Sequence, residues 1–161
     1  MRYIEAPQPY QKTGPALFLA GGISNCPDWQ AEATALLSDR DDLTVINPRR
    51  AGFSFSEHTA VEQITWEYTQ LRQADVILFW FTAGSVQPIT LFELGVHATR
   101  EVPLAVGADP DYPRRLDVQV QLSLARPGLT VHRTLAATVA AAVDLIPAAP
   151  DSPLCPDLPA H

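Results

Sequence analysis

Two glutamates in this sequence sit where the surrounding residues are suited to burial. The stretch QPITLFELGVHA, residues 87–98, holds a single acid, Glu93, and the seventeen residues from Val76 to Phe92 carry no charge. A second acid, Glu67, falls inside a stripe of Ala60, Ile64 and Leu71 at helical spacing. A carboxylate on such a face loses water, which is expensive unless it is paired or protonated. Two such acids on neighbouring helices can divide the work, one as nucleophile or base and the other as acid or orienter. Each also has a plainer reading. Glu67 could pair with an arginine or reach solvent at the edge of its stripe. Glu93 could pair with His97 or Arg100, four and seven residues on. Gly95 follows Glu93 closely, and a helical glycine is less stable than alanine by about 1 kcal/mol. Something is therefore expected to approach the backbone there.

The elements that must position these acids can be read from the apolar runs. ALFLA (16–20), LTVIN (43–47), VILFWF (76–81), PLAVG (103–107) and LTVH (129–132) read as five strands. Between and after them lie helical stretches at about 27–38, 59–73, 88–100, 117–125 and 135–146. Asn25, Pro27 and Asp28 supply helix-start chemistry for the first, and Thr134 caps the last. Alternating strands and helices, with strands apolar on both faces, predict a parallel sheet covered on both sides. The expectation is an α/β, flavodoxin-like, doubly wound sheet of five strands in the order 2-1-3-4-5. Ligands in such sheets bind beyond the carboxyl ends of the strands, at the switch between strands one and three. That places Gly21–Asn25 and Thr82–Gln87 at the site, with Asn47–Arg50 beside them. Residues 1–14 read as a loose polar arm, 15–147 as one domain, and the proline-rich 148–161 as a disordered tail.

Composition narrows the class. The net charge of −7 argues against nucleic acid as a partner, because phosphate binding wants a basic surface. Cys26 and Cys155 are far apart and lack metal-ligand spacing, so neither a metal nor any other cofactor is expected. A disulfide framework is not expected either, and a reducing cytoplasm is the default compartment. No charged-then-apolar signal opens the chain, and its longest apolar run is far too short to span a membrane.

Four ordered segments carry a resemblance: FLAGGIS (18–24), INPRR (46–50), QITWEYTQLRQADVILFWF (63–81) and PITLFELGVHA (88–98). Together they resemble the nucleoside 2-deoxyribosyltransferase family, and within it the 2-deoxyribosyltransferase-like branch, over roughly residues 16–140. The resemblance implies that Glu93 attacks C1′ of a 2-deoxyribosyl group and displaces the base. Another base, or water in hydrolase relatives, then captures the glycosyl-enzyme. Chemistry agrees, since a nearby carboxylate stabilises positive charge at an anomeric carbon. The family's helix-two acid stands eight residues before the aspartate that opens strand three. Here that aspartate is Asp75, taken as structural, and the matching acid is Glu67. Its implied role is to hydrogen-bond the base or to protonate its leaving nitrogen. Aspartate is usual there, so the extra methylene changes its reach.

The resemblance also assigns the walls of the pocket. Gly21 and Gly22 form the first glycine loop. Phe18 stands where a tyrosine often accompanies the nucleophile, so the hydroxyl is missing. Gln87 replaces an acid or a serine, and could bond a sugar hydroxyl or close the loop before Pro88. Ser24 falls near an arginine of the nucleotide hydrolases; Arg49 and Arg50, beside Asn47, could substitute or form a solvated basic pair. Phe53 and Phe55 are placed to cover a nucleobase, whereas Trp66 and Trp80 read as core. A neighbouring subunit is implied to complete the pocket through Asp117 and Gln119, making the protein a homodimer or larger. Asp117 could equally cap the 118–125 helix.

The leading function is therefore cleavage of an N-glycosidic bond of a small-molecule nucleoside or nucleotide, with transfer of the sugar to another base. Hydrolysis of nucleosides or nucleoside 5′-phosphates, cleavage of NAD at its nicotinamide bond, and nucleotide sensing without turnover are the alternatives.

Overall fold

A computed structural model describes residues 1–50 and 56–147. Six strands and five helices are found among the described residues. In chain order they are β1 (Arg2–Glu5), β2 (Ala16–Gly21), α1 (Trp29–Leu36), β3 (Thr44–Asn47), α2 (Glu57–Gln73) and β4 (Val76–Phe81). They continue with α3 (Pro88–Ala98), β5 (Leu104–Ala108), α4 (Arg115–Ala125), β6 (Val131–His132) and α5 (Leu135–Leu145). The strands form one sheet in the order β1-β3-β2-β4-β5-β6, parallel throughout. The five expected strands keep their expected order within it, so the fold is a doubly wound, broadly flavodoxin-like sheet.

Side-chain alternation divides the core into two layers. On β4, Ile77, Phe79 and Phe81 pack with Phe18 and Ala20 of β2 against α2, α3 and α4, through Trp66, Leu94 and Leu122. Val76, Leu78 and Trp80 pack with Leu17 and Leu19 against α1 and α5, through Trp29, Ala33 and Val139. Every β4 residue is buried, as its unbroken apolar run requires. Trp66 and Trp80 are core residues, as expected.

The sixth strand is a correction. Residues 1–14 are not a loose arm: Arg2–Glu5 pairs in register with Thr44–Asn47 and covers what would be an open sheet edge. Ile4 within this strand, and Ala6 and Tyr10 after it, are buried. The Trp66 indole N–H donates to the Gln8 carbonyl at 2.8 Å, and Lys12 pairs with Asp75 at 2.6 Å. Asp75 also accepts the Ala16 backbone N–H, which bears out its structural reading.

Helix starts follow local chemistry. The cap of α1 is Asp28, expected only as an early acid, which accepts from Ala31 N; Asn25, the expected cap, adopts a left-handed φ of 55° before the helix. Ser56 and Thr59 form a reciprocal capping box at α2, and Thr134 caps α5 as expected. Among the described residues no helix is long and apolar enough to cross a membrane, and no cluster of His, Cys, Asp and Glu could hold a metal ion.

Candidate active site

The chain leaves β2 toward α1 on one face of the sheet and leaves β4 toward α3 on the other. The two loops diverge, opening a crevice beyond the adjacent carboxyl ends. Gln87 locks the crevice floor. Its Oε1 accepts the Gly22 N–H at 2.9 Å, and its Nε2 donates to the Thr82 carbonyl and Oγ1 at 3.1 and 2.8 Å. It does so from a left-handed backbone (φ 52°) immediately before Pro88, which opens α3. Both glycines are dictated by close approach. A Cβ on Gly21 would lie 2.5 Å from the Trp29 ring and from the Trp80 carbonyl; one on Gly22 would lie 2.9 Å from Gln87 Cδ.

The crevice is a cleft of about 630 Å³. Glu67 enters it from α2 and Glu93 from α3, and both are half-buried. Burial drives the Glu93 pKa up to about 8, and the negative charge of Glu67 adds to the rise. Burial also raises Glu67, offset by a hydrogen bond from Gln63 that favours its charged form. Among the described residues neither acid has an ion-pair partner, so the salt-bridge reading fails for both. His97, the first proposed partner of Glu93, is buried. Burial and the nearby Arg100 and Arg72 charges hold its pKa down to about 4, and its Nδ1 lies 3.4 Å from Arg100 Nη1. Two half-buried carboxyls in one cleft, with Glu93 pushed up to about 8, are suited to divide proton transfer and nucleophilic attack between them.

The structure brings together most of the residues expected here. Phe18, Gly21, Gly22, Arg49, Gln87, Glu67 and Glu93 all line the cleft. Phe18 packs its ring 6.3 Å from that of Trp66. Of the two roles open to Gln87, the contacts observed are those of closing the loop: both polar atoms of its amide are bonded within the protein. Asn47 does not line the cleft. Its side chain donates to Tyr3 Oη at 2.6 Å and accepts from Arg49 N, shaping the turn after β3. Arg49 is not a solvated cation: it donates to Gln30 Oε1 and the Pro27 carbonyl and pairs with Asp28 at 3.2 Å. Arg50 pairs with Glu62 at 3.1 Å. Phe53, like Phe55, lies outside the described residues.

Asp117 and Gln119 are placed elsewhere. Asp117 borders a separate groove of about 410 Å³ between α3 and α4, and Gln119 is exposed on α4. The helix-cap reading of Asp117 is also corrected. It lies inside the first turn of α4, where its carboxylate accepts from Arg114. Gly95 borders the same groove, and nothing lies within 4 Å of where its Cβ would be. The expected close approach to Gly95 is therefore absent among the described residues.

Three cleft residues on α2 escaped the sequence reading of the site. Ala60 and Ile64 looked like core stripe, yet they line the cleft, and Ile64 is 63% exposed. Gln63 is the third, and its only sequence signal was the four-residue spacing to Glu67.

Comparison with known proteins bears on this geometry. A family model described as "nucleoside 2-deoxyribosyltransferase like" matches residues 14–112, more than half of the chain. The chain belongs to the nucleoside 2-deoxyribosyltransferase-like family. The matched span runs from β2 through β5 and includes both cleft carboxylates; Asp117 and Gln119 lie beyond it. No curated protein matches the chain. Among solved structures, a conserved protein from Enterococcus faecalis V583 is similar at 13% identity and a TM-score of 0.43, covering 81% of this chain and 87% of that one.

Proposed function

We propose that this member of the nucleoside 2-deoxyribosyltransferase-like family cleaves the N-glycosidic bond of a 2-deoxynucleoside and transfers the sugar to a second base. The observation that carries the reading is the pair of half-buried carboxylates, Glu67 and Glu93, entering one cleft from adjacent helices. In the resting protein the proton sits on Glu93, whose pKa is about 8. Burial raises the Glu67 pKa as well, and its hydrogen bond from Gln63 works against that rise by favouring the anion. As the substrate base begins to leave, this proton passes to Glu67 and on to the base nitrogen. The Glu93 carboxylate then bonds to C1′, while the electron pair of the C1′–N bond departs with the protonated base. An acceptor base reverses the sequence. Its nitrogen bonds to C1′, the ester bond to Glu93 breaks, and its proton returns through Glu67.

The charge arrangement favours a substrate without a 5′-phosphate. Both cleft arginines are engaged, Arg49 by Asp28 and Arg50 by Glu62, and two acids already occupy the cleft. A phosphate would add like charge without a cation committed to it.

A second copy of the chain is the proposed partner. Ile89, Phe92 and Val96 on α3 and Leu116, Val120 and Leu124 on α4 are all substantially exposed, with Phe92, Leu116 and Leu124 above 70%. A patch of that kind marks an interaction surface. Ile89 also lines the cleft, so a copy seated on this face would border the site.

The decisive experiment incubates the protein with 2-deoxynucleosides and a second free base and follows both by chromatography. A newly formed nucleoside is the expected product. Free deoxyribose without exchange would reassign the protein as a hydrolase, and no product from nucleosides, nucleotides or NAD would overturn the enzymatic reading.

A further inference from the structure

We infer that Gln63 is a positioning residue that fixes which oxygen of Glu67 relays the proton. This rests on the proposed proton path. Gln63 stands one turn before Glu67 on α2. Its Nε2 donates to the Pro48 carbonyl and to Glu67 Oε1, each at 2.7 Å. The orientation of the amide follows from these neighbours. Turned over, its oxygen would face the Pro48 carbonyl, acceptor against acceptor. Gln63 Oε1 is meanwhile buried without a hydrogen-bond partner among the described residues, an unusual state for a buried acceptor. The amide is therefore held by its two donor contacts alone, and both are committed.

The consequence falls on Glu67. An oxygen that accepts an N–H at 2.7 Å from an amide already pinned at Pro48 is poorly placed to carry a proton on that side. Oε2, which has no hydrogen bond among the described residues, is left to receive the proton and to pass it on. The same contact makes Glu67 a stronger acid, which helps it release that proton to a leaving base. The other charged groups lining the cleft are Glu93 from α3 and the engaged Arg49 and Arg50 from the loop after β3. Gln63 thus ties the end of β3 to the acid on α2, a link that a core residue at this position would not make.

The test uses leaving bases that differ in their need for a proton. Gln63→Met keeps side-chain length and helix compatibility but donates nothing. With an ordinary purine 2-deoxynucleoside, turnover should fall at least tenfold. With the N7-methylated purine 2-deoxynucleoside, whose base departs without protonation, the loss should shrink to within about threefold. The acid limb of the pH–rate profile should also move upward, because Glu67, which must be ionised to take up the Glu93 proton, loses a bond that favours its anion. Gln63→Glu, isosteric and unable to donate when ionised, should show the same selectivity and serves if the Met variant does not fold. Equal losses on both substrates, or no loss on either, overturn the proposal for Gln63. Glu67→Gln separates the two readings. If it too loses equally on both substrates, the acid role of Glu67 fails; if it is selective while the Gln63 variants are not, only the positioning role fails.

Discussion

Gln87 Oε1 accepts the Gly22 backbone N–H at 2.9 Å, which ties the end of β2 to the start of α3 in the cleft that the two carboxylates line. Nε2 of the same side chain bonds Thr82, so one amide fixes both loops of the crevice. Gln87→Ala removes all of these contacts and leaves the buried Gly22 N–H unpaired. Chemical denaturation should show a loss of about 1–3 kcal/mol. Glycosyl transfer should fall as well, since Glu93 rides on the helix that this latch anchors. Unchanged stability would remove Gln87 from this role.

Glu93→Gln should abolish transfer, by roughly a thousandfold or more, while the fold survives. Full activity in this variant would end its assignment as nucleophile. A folded, inactive protein by circular dichroism and product assay is the expected result.

The same variant reports on pH-dependent stability. The Glu93 pKa rises from 4.5 to about 8 on folding, so between those values the folded chain holds a proton that the unfolded chain has released. Stability must then fall as pH rises through that window and level off above it. Burial is incomplete, so the whole effect is of order a few kcal/mol at most. Glu93→Gln should lack this slope, and urea titrations at pH 5 and pH 8.5 would reveal the difference.

His97 contributes the opposite slope. Its pKa drops from 6.5 to about 4 on folding, through burial and the charges of Arg100 and Arg72. The unfolded chain takes up the proton first as pH falls, so stability is lost between about pH 6.5 and pH 4. His97→Gln should flatten that part of the profile, as measured by thermal melts across the same range.

If α3 and α4 meet a second copy, a charge on that face should break the assembly. Phe92→Asp and Leu124→Asp alter exposed side chains that do not line the cleft. Sedimentation or light scattering should show a shift toward the monomer. A wild-type protein that is monomeric at assay concentration would refute the partner proposal.

The elements that could be read in the sequence are those whose pattern is local. Val76–Phe81 is apolar at every position, and such a run has few options other than a central parallel strand. Glu93 and Glu67 stood out because neighbouring apolar residues made a lone acid conspicuous. Arg2–Glu5 could not be read in this way, since its strand character comes from pairing with Thr44–Asn47, a partner 42 residues away. Gly95 misled because a helical glycine can flank an open groove as well as a crowded contact. Gln87 suggested two roles, and only the positions of Gly22 and Thr82 distinguish them. Ile64 has core chemistry but a cleft position, because its turn of α2 faces the crevice rather than the packed sheet.

The bond between Trp66 and Gln8 reaches further than the sheet edge. Trp66 is the residue immediately before Glu67, so the opening decapeptide works as a splint for the helix that carries Glu67. The family match begins at residue 14, after that splint. A chain trimmed to the matched boundary would keep both acids in its sequence and lose the brace that holds one of them in register.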